Sequence, residues 1–193
     1  MPVSDPGLYA VDWATLPVPE DDGAAAHLAG ARWASMALPS TAGGAVDLSA
    51  LRRLTVVYVY PATGVPGVPM PEGWDAIPGA RGCTPQSCAF RDHAADLRAA
   101  GADAIFGLSA QTPAEQAEAA ARLHLPFPLL SDAGGALARA MGLPTFPAGG
   151  RTLLRRLTAV LHDGVVVHLR YPVFPPDADA GAVRDWLAGN AQA

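Results

Sequence analysis

Two cysteines, Cys83 and Cys88, are the residues of this 193-residue chain best suited to covalent chemistry. They lie in the segment GCTPQSCAFRD, residues 82–92, where a loop should end and a helix begin. Pro85 suits the first helical turn, where its missing N–H is not needed. Cys83 therefore lies near a helix N-terminus, where exposed amides and the positive end of the helix dipole favour a thiolate over a thiol. This is an environment for a reactive cysteine.

The spacing of the two cysteines limits how they can react with each other. In one regular helix, residues five positions apart have Cα atoms about 8.6 Å apart and roughly 140° around the axis. A disulfide requires Cα atoms within about 7 Å. The pair therefore cannot form a disulfide while the first helical turn is intact, which favours a redox switch over a structural crosslink. Two other interpretations stay open: Cys88 as a small buried residue of the helix, and a zinc site with two of the five histidines, which the spacing disfavours.

A strand–helix–strand unit is predicted to position the cysteine segment. Leu54–Tyr60 is β-branched, aromatic and nearly continuous in apolar character, as in a strand buried on both faces of a parallel sheet. A long Pro/Gly-rich loop over 62–82 comes next, then a helix predicted over Thr84–Ala100 and a second buried strand over Ala104–Ser109. This order predicts a right-handed βαβ unit. The loop is either a packed Ω-loop or a lid or subunit contact.

The rest of the chain predicts an α/β fold with a mixed central sheet flanked by helices. Thr112, Pro113 and Glu115 form a capping box that should start a helix. The remaining predicted elements are an opening hairpin over 37–48, a helical turn through Leu51, a strand over Pro128–Ser131, a helix over 135–141, a hairpin over 155–170 and a last helix beginning at Asp177 or Asp179. The expected organisation is an N-terminal arm over 1–36 and one domain over 37–193, with the loop 62–82 inserted.

The composition excludes several classes of protein. The net charge is −5, and all thirteen basic residues are arginine with no basic stripe, so nucleic-acid binding is not indicated. No apolar run reaches the roughly 18 residues that span a bilayer. Met1 to Ala10 lacks the basic start and apolar core of a signal peptide, which predicts a cytoplasmic protein. The histidines show no ligand spacing, and no metal or organic cofactor is implied.

Three segments of the chain resemble the peroxiredoxins, specifically the Q-type or bacterioferritin-comigratory branch. The segment 82–92 is similar to that branch's Gly-Cys-Thr-x-x-x-Cys signature followed by Arg-Asp. The sequence FPLLSD at 127–132 resembles a second family segment, and 38–49 resembles the opening hairpin of the family. The similarity spans about residues 38 to 187. It implies a thioredoxin-like fold, here with an N-terminal extension, and thiol peroxidase activity.

The resemblance also implies a role for each cysteine. Cys83 would be the peroxidatic cysteine, which attacks hydrogen peroxide or an organic hydroperoxide and becomes a sulfenic acid. Cys88 would be the resolving cysteine, which condenses with the sulfenate to give an intrachain disulfide. A thioredoxin-like reductant would then regenerate both thiols by exchange. The apolar loop and the N-terminal arm are a candidate surface for a homodimer.

Backbone and side-chain donors should surround the reacting sulfur. The family uses an arginine on a later strand followed two residues on by Thr or Ser, and Arg156 with Thr158 matches this pattern. Arg155 is the alternative if the strand register slips by one residue. Gly82 and Thr84, on either side of Cys83, are expected to contribute to peroxide binding.

The chain departs from the family where a threonine hydroxyl normally binds the peroxide. The family pattern is Pro-x-x-x-Thr-x-x-Cys, but Ala80 occupies the threonine position here and Ile77 the proline position. Pro61 and Thr63 precede the long loop instead. We expect an insertion of about sixteen residues to separate the two halves of the motif, with Pro61 and Thr63 folding back to serve the site.

Three other functions are compatible with the same fold. A thiol–disulfide oxidoreductase is one, although the Cys-x-x-Cys spacing typical of that class is absent. A non-catalytic redox sensor is another. The third is a one-cysteine peroxidase in which an external thiol resolves Cys83. These alternatives differ in whether the protein consumes peroxide and in which thiol reacts second.

Overall fold

The computed structural model describes residues 10–190 and contains nine strands and five α-helices within that range. The strands are β1 (Ala37–Pro39), β2 (Ala45–Asp47), β3 (Leu54–Val59), β4 (Ala104–Ser109), β5 (Leu129–Ser131), β6 (Thr145–Ala148), β7 (Arg151–Leu154), β8 (Leu157–His162) and β9 (Val165–Arg170). The helices are α1 (Cys83–Asp92), α2 (Ala94–Ala99), α3 (Pro113–Arg122), α4 (Ala136–Met141) and α5 (Asp179–Asn190).

The central sheet has five strands in the order β5-β4-β3-β8-β9. Strands β3, β4 and β5 run parallel, whereas β8 pairs antiparallel with both β3 and β9. This confirms the predicted mixed sheet with a parallel βαβ half and an antiparallel late hairpin. The two further pairs, β1–β2 and β6–β7, are separate antiparallel hairpins.

Strand β3 is covered on both faces, which explains its continuous apolar sequence. Val56 and Tyr58 face a core built with α1, α2 and α5, whereas Val57 and Val59 face a second core. The second core contains residues of the N-terminal arm, of helix α4, of the β6–β7 hairpin and of the long loop. Strand β3 therefore lies between two packed layers, one of which contains α1.

One predicted helix was wrong in detail, and one hairpin was not predicted. The helix expected over 84–100 is divided at His93, which has φ −92° and ψ 3° and ends α1 before α2 begins. The apolar spacing continues through this break because Phe90, Ala94 and Leu97 all enter the same core. The β6–β7 hairpin was not predicted, although Gly149 and Gly150 form its turn with φ of 56° and 73°.

Several local signals were confirmed. Thr112 and Glu115 form the predicted capping box at the start of α3. Asp132 accepts hydrogen bonds from the backbone N–H groups of Leu137 and Ala138 and so caps α4, which ends at Gly142 in the left-handed conformation. These contacts fix the βα connections beside the sheet.

The arm and the long loop both pack against the domain. Leu28 and Trp33 of the arm are buried in the same core as β3, and the Trp33 N–H donates to the carbonyl of Gly164 at 2.8 Å. In the loop, Trp74 is buried and begins a 3-10 turn that runs to Ala76. The loop is therefore packed, as an Ω-loop would be. The signal-peptide prediction for Met1 to Ala10 concerns residues that, apart from Ala10, lie outside the described range.

No helix among residues 10–190 has the length and apolar character needed to cross a membrane.

Candidate active site

The site forms where the long loop meets the first turn of α1. Gly82 is the N-cap of this helix and has φ 110° and ψ 15°, a left-handed conformation that favours glycine. A Cβ at Gly82 would lie 2.8 Å from atoms of Pro176 and Trp13. Glycine is therefore required both by the backbone and by close packing. Cys83 follows as the first helical residue, with only 3% of its surface exposed.

A guanidinium group lies directly against the Cys83 sulfur. Arg156 Nη2 donates to Cys83 Sγ at 3.2 Å, and Cys83 Sγ lies 3.6 Å from the carbonyl oxygen of Ala80. A positive charge this close, at the amino end of a helix, stabilises negative charge on the sulfur. Of the two arginines considered from the sequence, Arg156 is the one at the sulfur. Arg155 lies over the ring of Phe146 instead, 5.8 Å from its centroid.

Arg156 also holds the end of the long loop. It is 3% exposed, and its Nη2 donates to the carbonyl oxygens of Gly79, Ala80 and Arg81 at 3.1–3.3 Å. One guanidinium thus binds both the loop and the reactive sulfur. At position 80, where the family has a threonine hydroxyl, this chain presents a buried methyl group and a backbone carbonyl that accepts from Arg156.

A buried polar network holds the side chain of Arg156 in place. Arg156 Nη1 donates to Gln86 Oε1, and Gln86 Nε2 donates to Asp179 Oδ2 at 2.9 Å. Asp179 also accepts from Thr158 Oγ1 at 2.6 Å and pairs with Arg170 at 2.8 Å. The network joins the cysteine helix, strand β8 and the start of helix α5, so it fixes the position of the guanidinium.

Sequence reasoning missed three members of this network, Gln86, Asp179 and Arg170. Gln86 lies one helical turn after Cys83 on the buried side of α1, and a polar side chain among buried positions was the available signal. Asp179 was predicted only as a candidate helix start. No local signal indicates that its carboxylate faces β8 across the fold, because the contact joins residues 21 positions apart.

We expect Asp179→Ala to destabilise the fold by about 3 kcal/mol, because it leaves Arg170 and the buried donors of Gln86 and Thr158 without their acceptor. Urea unfolding followed by circular dichroism measures this change. Asp177→Ala is the matched control, since Asp177 is an exposed carboxylate that accepts a hydrogen bond from Trp13. This variant should lower the free energy of unfolding by less than about 1 kcal/mol. Equal decreases in the free energy of unfolding for the two variants would contradict the stabilising role of the buried network.

The Thr63 hydroxyl is bound to Gln111, whereas the sequence led us to expect it at the Cys83 sulfur. Its hydroxyl donates to Gln111 Oε1 at 3.1 Å, its N–H donates to the same oxygen at 2.9 Å, and Gln111 Nε2 donates to its carbonyl oxygen at 3.3 Å. Thr63 is buried, as is Pro61 beside it at the end of β3. The structure thus gives Thr63 a part in anchoring the start of the loop, and its hydroxyl is not placed at Cys83.

An open cleft of about 660 Å³ leads to Cys83. Cys83, Gly82 and Thr84 are among the residues that line it. Its walls come mainly from the long loop, including Met70 and Trp74, with a contribution from the N-terminal arm. Cys83 therefore borders an open cleft, and of the predicted hydroxyl-bearing residues Thr84 lines this cleft whereas Thr63 does not.

Cys88 lies in the same helix as Cys83, and both cysteines are free thiols. Cys88 is half-buried, and burial raises the pKa of its thiol above the ordinary value, although nearby Arg91 acts in the opposite direction. Because α1 is a continuous helix from Cys83 onward, the two Cα atoms are about 8.6 Å apart by regular helix geometry. A direct bond between the sulfurs requires the first turn to unwind.

The sequence of the chain is similar to those of known proteins. The family model described as Redoxin matches residues 26–184. Peroxiredoxin Q, chloroplastic, of Oryza sativa subsp. japonica is 36% identical over 130 residues, which are 67% of this chain and 52% of the rice protein. The protein of the same name from Populus jackii is 38% identical over 116 residues, 60% of this chain and 46% of its own length. The chain thus spans about half the length of the curated relatives it matches.

A solved structure shares the fold. The crystal structure of peroxidoxin BcpB from Mycobacterium tuberculosis superposes with a TM-score of 0.67 and 28% identity. The match covers 84% of this chain and 97% of the mycobacterial one. The mixed central sheet and flanking helices are therefore a thioredoxin-like fold, as predicted. With the matching family model and these relatives, the chain belongs to the redoxin family and, within it, to the Q-type peroxiredoxins.

Proposed function

We propose that this protein is a thiol-dependent peroxidase that reduces hydrogen peroxide and organic hydroperoxides at Cys83. The observation that carries the proposal is the 3.2 Å contact between Arg156 Nη2 and Cys83 Sγ, at a cysteine that lines an open cleft. The guanidinium favours the thiolate, which is the nucleophile, and the cleft admits the oxidant.

In the first step the Cys83 thiolate attacks one oxygen of the peroxide O–O bond. The S–O bond forms, the O–O bond breaks, and the second oxygen leaves as hydroxide or alkoxide, which takes up a proton to give water or an alcohol. The sulfur is oxidised to a sulfenic acid and the peroxide is reduced. Arg156 and the free N–H groups at the start of α1 stabilise the charge that moves onto the oxygens.

The remaining predicted site residues have supporting roles in this proposal. Gly82 permits the tight start of α1, and Thr84 lines the cleft beside Cys83. Pro61 ends β3, and Thr63 holds the start of the loop through Gln111 rather than binding peroxide. The threonine hydroxyl typical of the family then has no equivalent at position 80, and Arg156 carries more of the stabilisation.

In the second step the Cys88 thiol loses its proton, and the thiolate attacks the sulfur of the Cys83 sulfenic acid. The S–S bond forms, the S–O bond breaks, and the oxygen leaves as hydroxide, which takes up a proton to give water. Because both cysteines belong to α1, the first turn must unwind before the sulfurs can meet. A thioredoxin-like dithiol then reduces the disulfide by exchange and restores the two thiols.

The rate of disulfide formation should rise with pH. Attack on the sulfenic acid requires the Cys88 thiolate, and burial raises the pKa of Cys88 above its ordinary value. Near neutral pH the thiol form therefore dominates, and the rate should increase by up to about tenfold for each pH unit below that pKa. Stopped-flow measurement of disulfide formation after one equivalent of peroxide checks this. A rate independent of pH would contradict it.

A pair of coupled assays tests the peroxidase proposal against its alternatives. We expect peroxide consumption that depends on thioredoxin, thioredoxin reductase and NADPH, with little reduction of insulin disulfides. The absence of the Cys-x-x-Cys spacing supports this expectation. Insulin reduction without peroxide consumption would overturn the proposal in favour of a thiol–disulfide oxidoreductase. Oxidation of the protein without turnover would indicate a redox sensor.

We further propose a cytoplasmic location and a homodimer. The two free thiols fit a reducing compartment, although the named plant relatives are chloroplastic. The exposed Val68 at the rim of the loop provides an apolar surface for a second copy, and sedimentation of the reduced protein measures whether a dimer forms. A monomer at micromolar concentration would exclude the dimer.

A further inference from the structure

The indole ring of Trp13, in the N-terminal arm, packs against the start of the cysteine helix. A Cβ placed on Gly82, the N-cap of α1, would lie 2.8 Å and 2.9 Å from two carbons of this ring. It would also lie 2.8 Å from Pro176, in the segment that precedes α5. Gly82 therefore packs closely against both the arm and this segment, directly before Cys83.

Two further contacts orient the indole. Its Nε1–H donates to Asp177 Oδ2 at 2.9 Å, and the ring meets Phe174 edge-on with the centroids 5.9 Å apart. The backbone is ordered locally as well, because the side chain of Asp12 caps a 3-10 turn over Trp13–Thr15. The position of the ring at Gly82 is thus defined by the arm itself and by partners far along the chain.

The arm also contacts the residues that lead into Gly82. A Cβ on Gly79 would lie 3.5 Å from two atoms of Pro19, an ordinary contact distance. The carbonyl oxygens of residues 79–81 meanwhile accept hydrogen bonds from Arg156. The segment that enters α1 is therefore held by Arg156 and packed against the arm at two positions, Gly79 and Gly82.

This outer part of the arm can separate from the domain without opening either core. Residues 12–22, here called the strap, are exposed or half-buried, whereas the buried residues of the described arm begin at Ala25. The indole hydrogen bond to Asp177 is exposed, and so is the one that Tyr171 donates to Asp22 at 2.8 Å. Segments with few buried contacts open locally at a lower free energy than the core.

The second step of the proposed reaction disrupts the surface on which the strap packs. The first turn of α1 must unwind before the sulfurs of Cys83 and Cys88 can meet, and unwinding removes the helix start at Gly82. A contact made with the wound turn alone stabilises that turn relative to the unwound one. The same coupling acts in reverse, so unwinding weakens the attachment of the strap.

We propose that the strap controls disulfide formation, with Trp13 as a positioning residue that keeps the first turn of α1 wound. This inference rests on the proposed two-cysteine function and adds a regulation of its second step. In the reduced protein the strap covers the helix start and slows the meeting of the two sulfurs. In the disulfide form the strap is released, and Trp13 loses its contact with Gly82.

The test measures the two steps separately in a single turnover of the full-length reduced protein with one equivalent of hydrogen peroxide. Loss of peroxide gives the rate constant of Cys83 oxidation, and intact mass after alkylation of the remaining thiols gives the rate constant of disulfide formation. Trp13→Ala removes the ring, whereas Trp13→Phe keeps an aromatic ring at Gly82 without the N–H donor. Val18→Ala is the matched control, because Val18 belongs to the strap and is 63% exposed.

For Trp13→Ala we expect disulfide formation to become about tenfold faster, while the rate constant of Cys83 oxidation stays within about twofold of wild type. Trp13→Phe should restore slow disulfide formation to within about threefold of wild type, and Val18→Ala should change neither step. A folded Trp13→Ala protein that forms the disulfide no faster than wild type would overturn the inference.

A second measurement uses the wild-type chain, whose four tryptophans are labelled with 5-fluorotryptophan. The fluorine resonance that is missing from Trp13→Phe identifies Trp13. We expect this resonance to shift when the disulfide forms, while the resonance of Trp33, which is buried in the core, stays in place. An identical Trp13 resonance in both forms would overturn the inference. A wild-type protein that consumes peroxide but forms no bond between Cys83 and Cys88 would instead overturn the second step of the proposed function, and this inference with it.

Discussion

Replacement of Cys83 by serine should lower peroxide consumption by about a thousandfold or more, because the hydroxyl of serine is a far weaker nucleophile than a thiolate and cannot form the sulfenic acid. The rest of the site should stay folded, since serine differs from cysteine by one atom at a position already capped by Gly82. Steady-state peroxide consumption with saturating reductant measures the effect. Retention of more than about a tenth of the activity would exclude Cys83 as the attacking residue.

Replacement of Cys88 by serine is the informative counterpart of this variant. We expect the Cys88→Ser protein to consume one equivalent of peroxide at the wild-type rate and to accumulate the sulfenic acid on Cys83, which a dimedone probe detects. Turnover should then depend on added small thiols. Full turnover with thioredoxin alone would favour a one-cysteine mechanism, in which Cys88 is only a half-buried residue of the helix.

Replacement of Arg156 by methionine should lower the rate of Cys83 oxidation by about a hundredfold, the usual effect of losing a principal donor to the developing charge. The guanidinium touches the sulfur at 3.2 Å and holds the loop carbonyls that precede Cys83. The variant thus loses both charge stabilisation and local order. The rate constant for oxidation by one equivalent of peroxide is the relevant measurement.

Arg155→Met is the matched control, since Arg155 is the neighbouring arginine but lies over Phe146. It should keep the oxidation rate within about threefold of wild type. Thermal unfolding of both variants separates loss of folding from loss of chemistry, and Arg156→Lys adds a variant that keeps the charge with fewer donors. A folded Arg156→Met protein with an unchanged oxidation rate would contradict the role assigned to this guanidinium.

Local sequence signals predicted much of what surrounds Cys83. The βαβ order, the capping box at Thr112 and the late hairpin all appear in the structure, because each depends on residues close together in the chain. The proximity of Arg156 to Cys83 was predicted from a family pattern rather than from local physics. The contact joins positions 73 residues apart.

Other features depend on tertiary contacts that a single sequence does not display. The sequence does not indicate the break at His93, because the apolar positions on both sides of it enter the same core. The partner of Thr63 is Gln111, 48 residues away, and nothing in the loop sequence identifies it. The residues around Asp179 in the sequence likewise do not indicate its role, because its partners Gln86, Thr158 and Arg170 come from three separate elements.

The most direct test of the proposed chemistry is the intact mass of the reduced protein after one equivalent of peroxide, followed by peptide mapping. We expect the loss of two hydrogens within a single chain and a crosslink between the peptides of Cys83 and Cys88. An unchanged mass with the peroxide intact would contradict the proposal that Cys83 is a peroxidatic thiol. So would oxidation confined to Cys88.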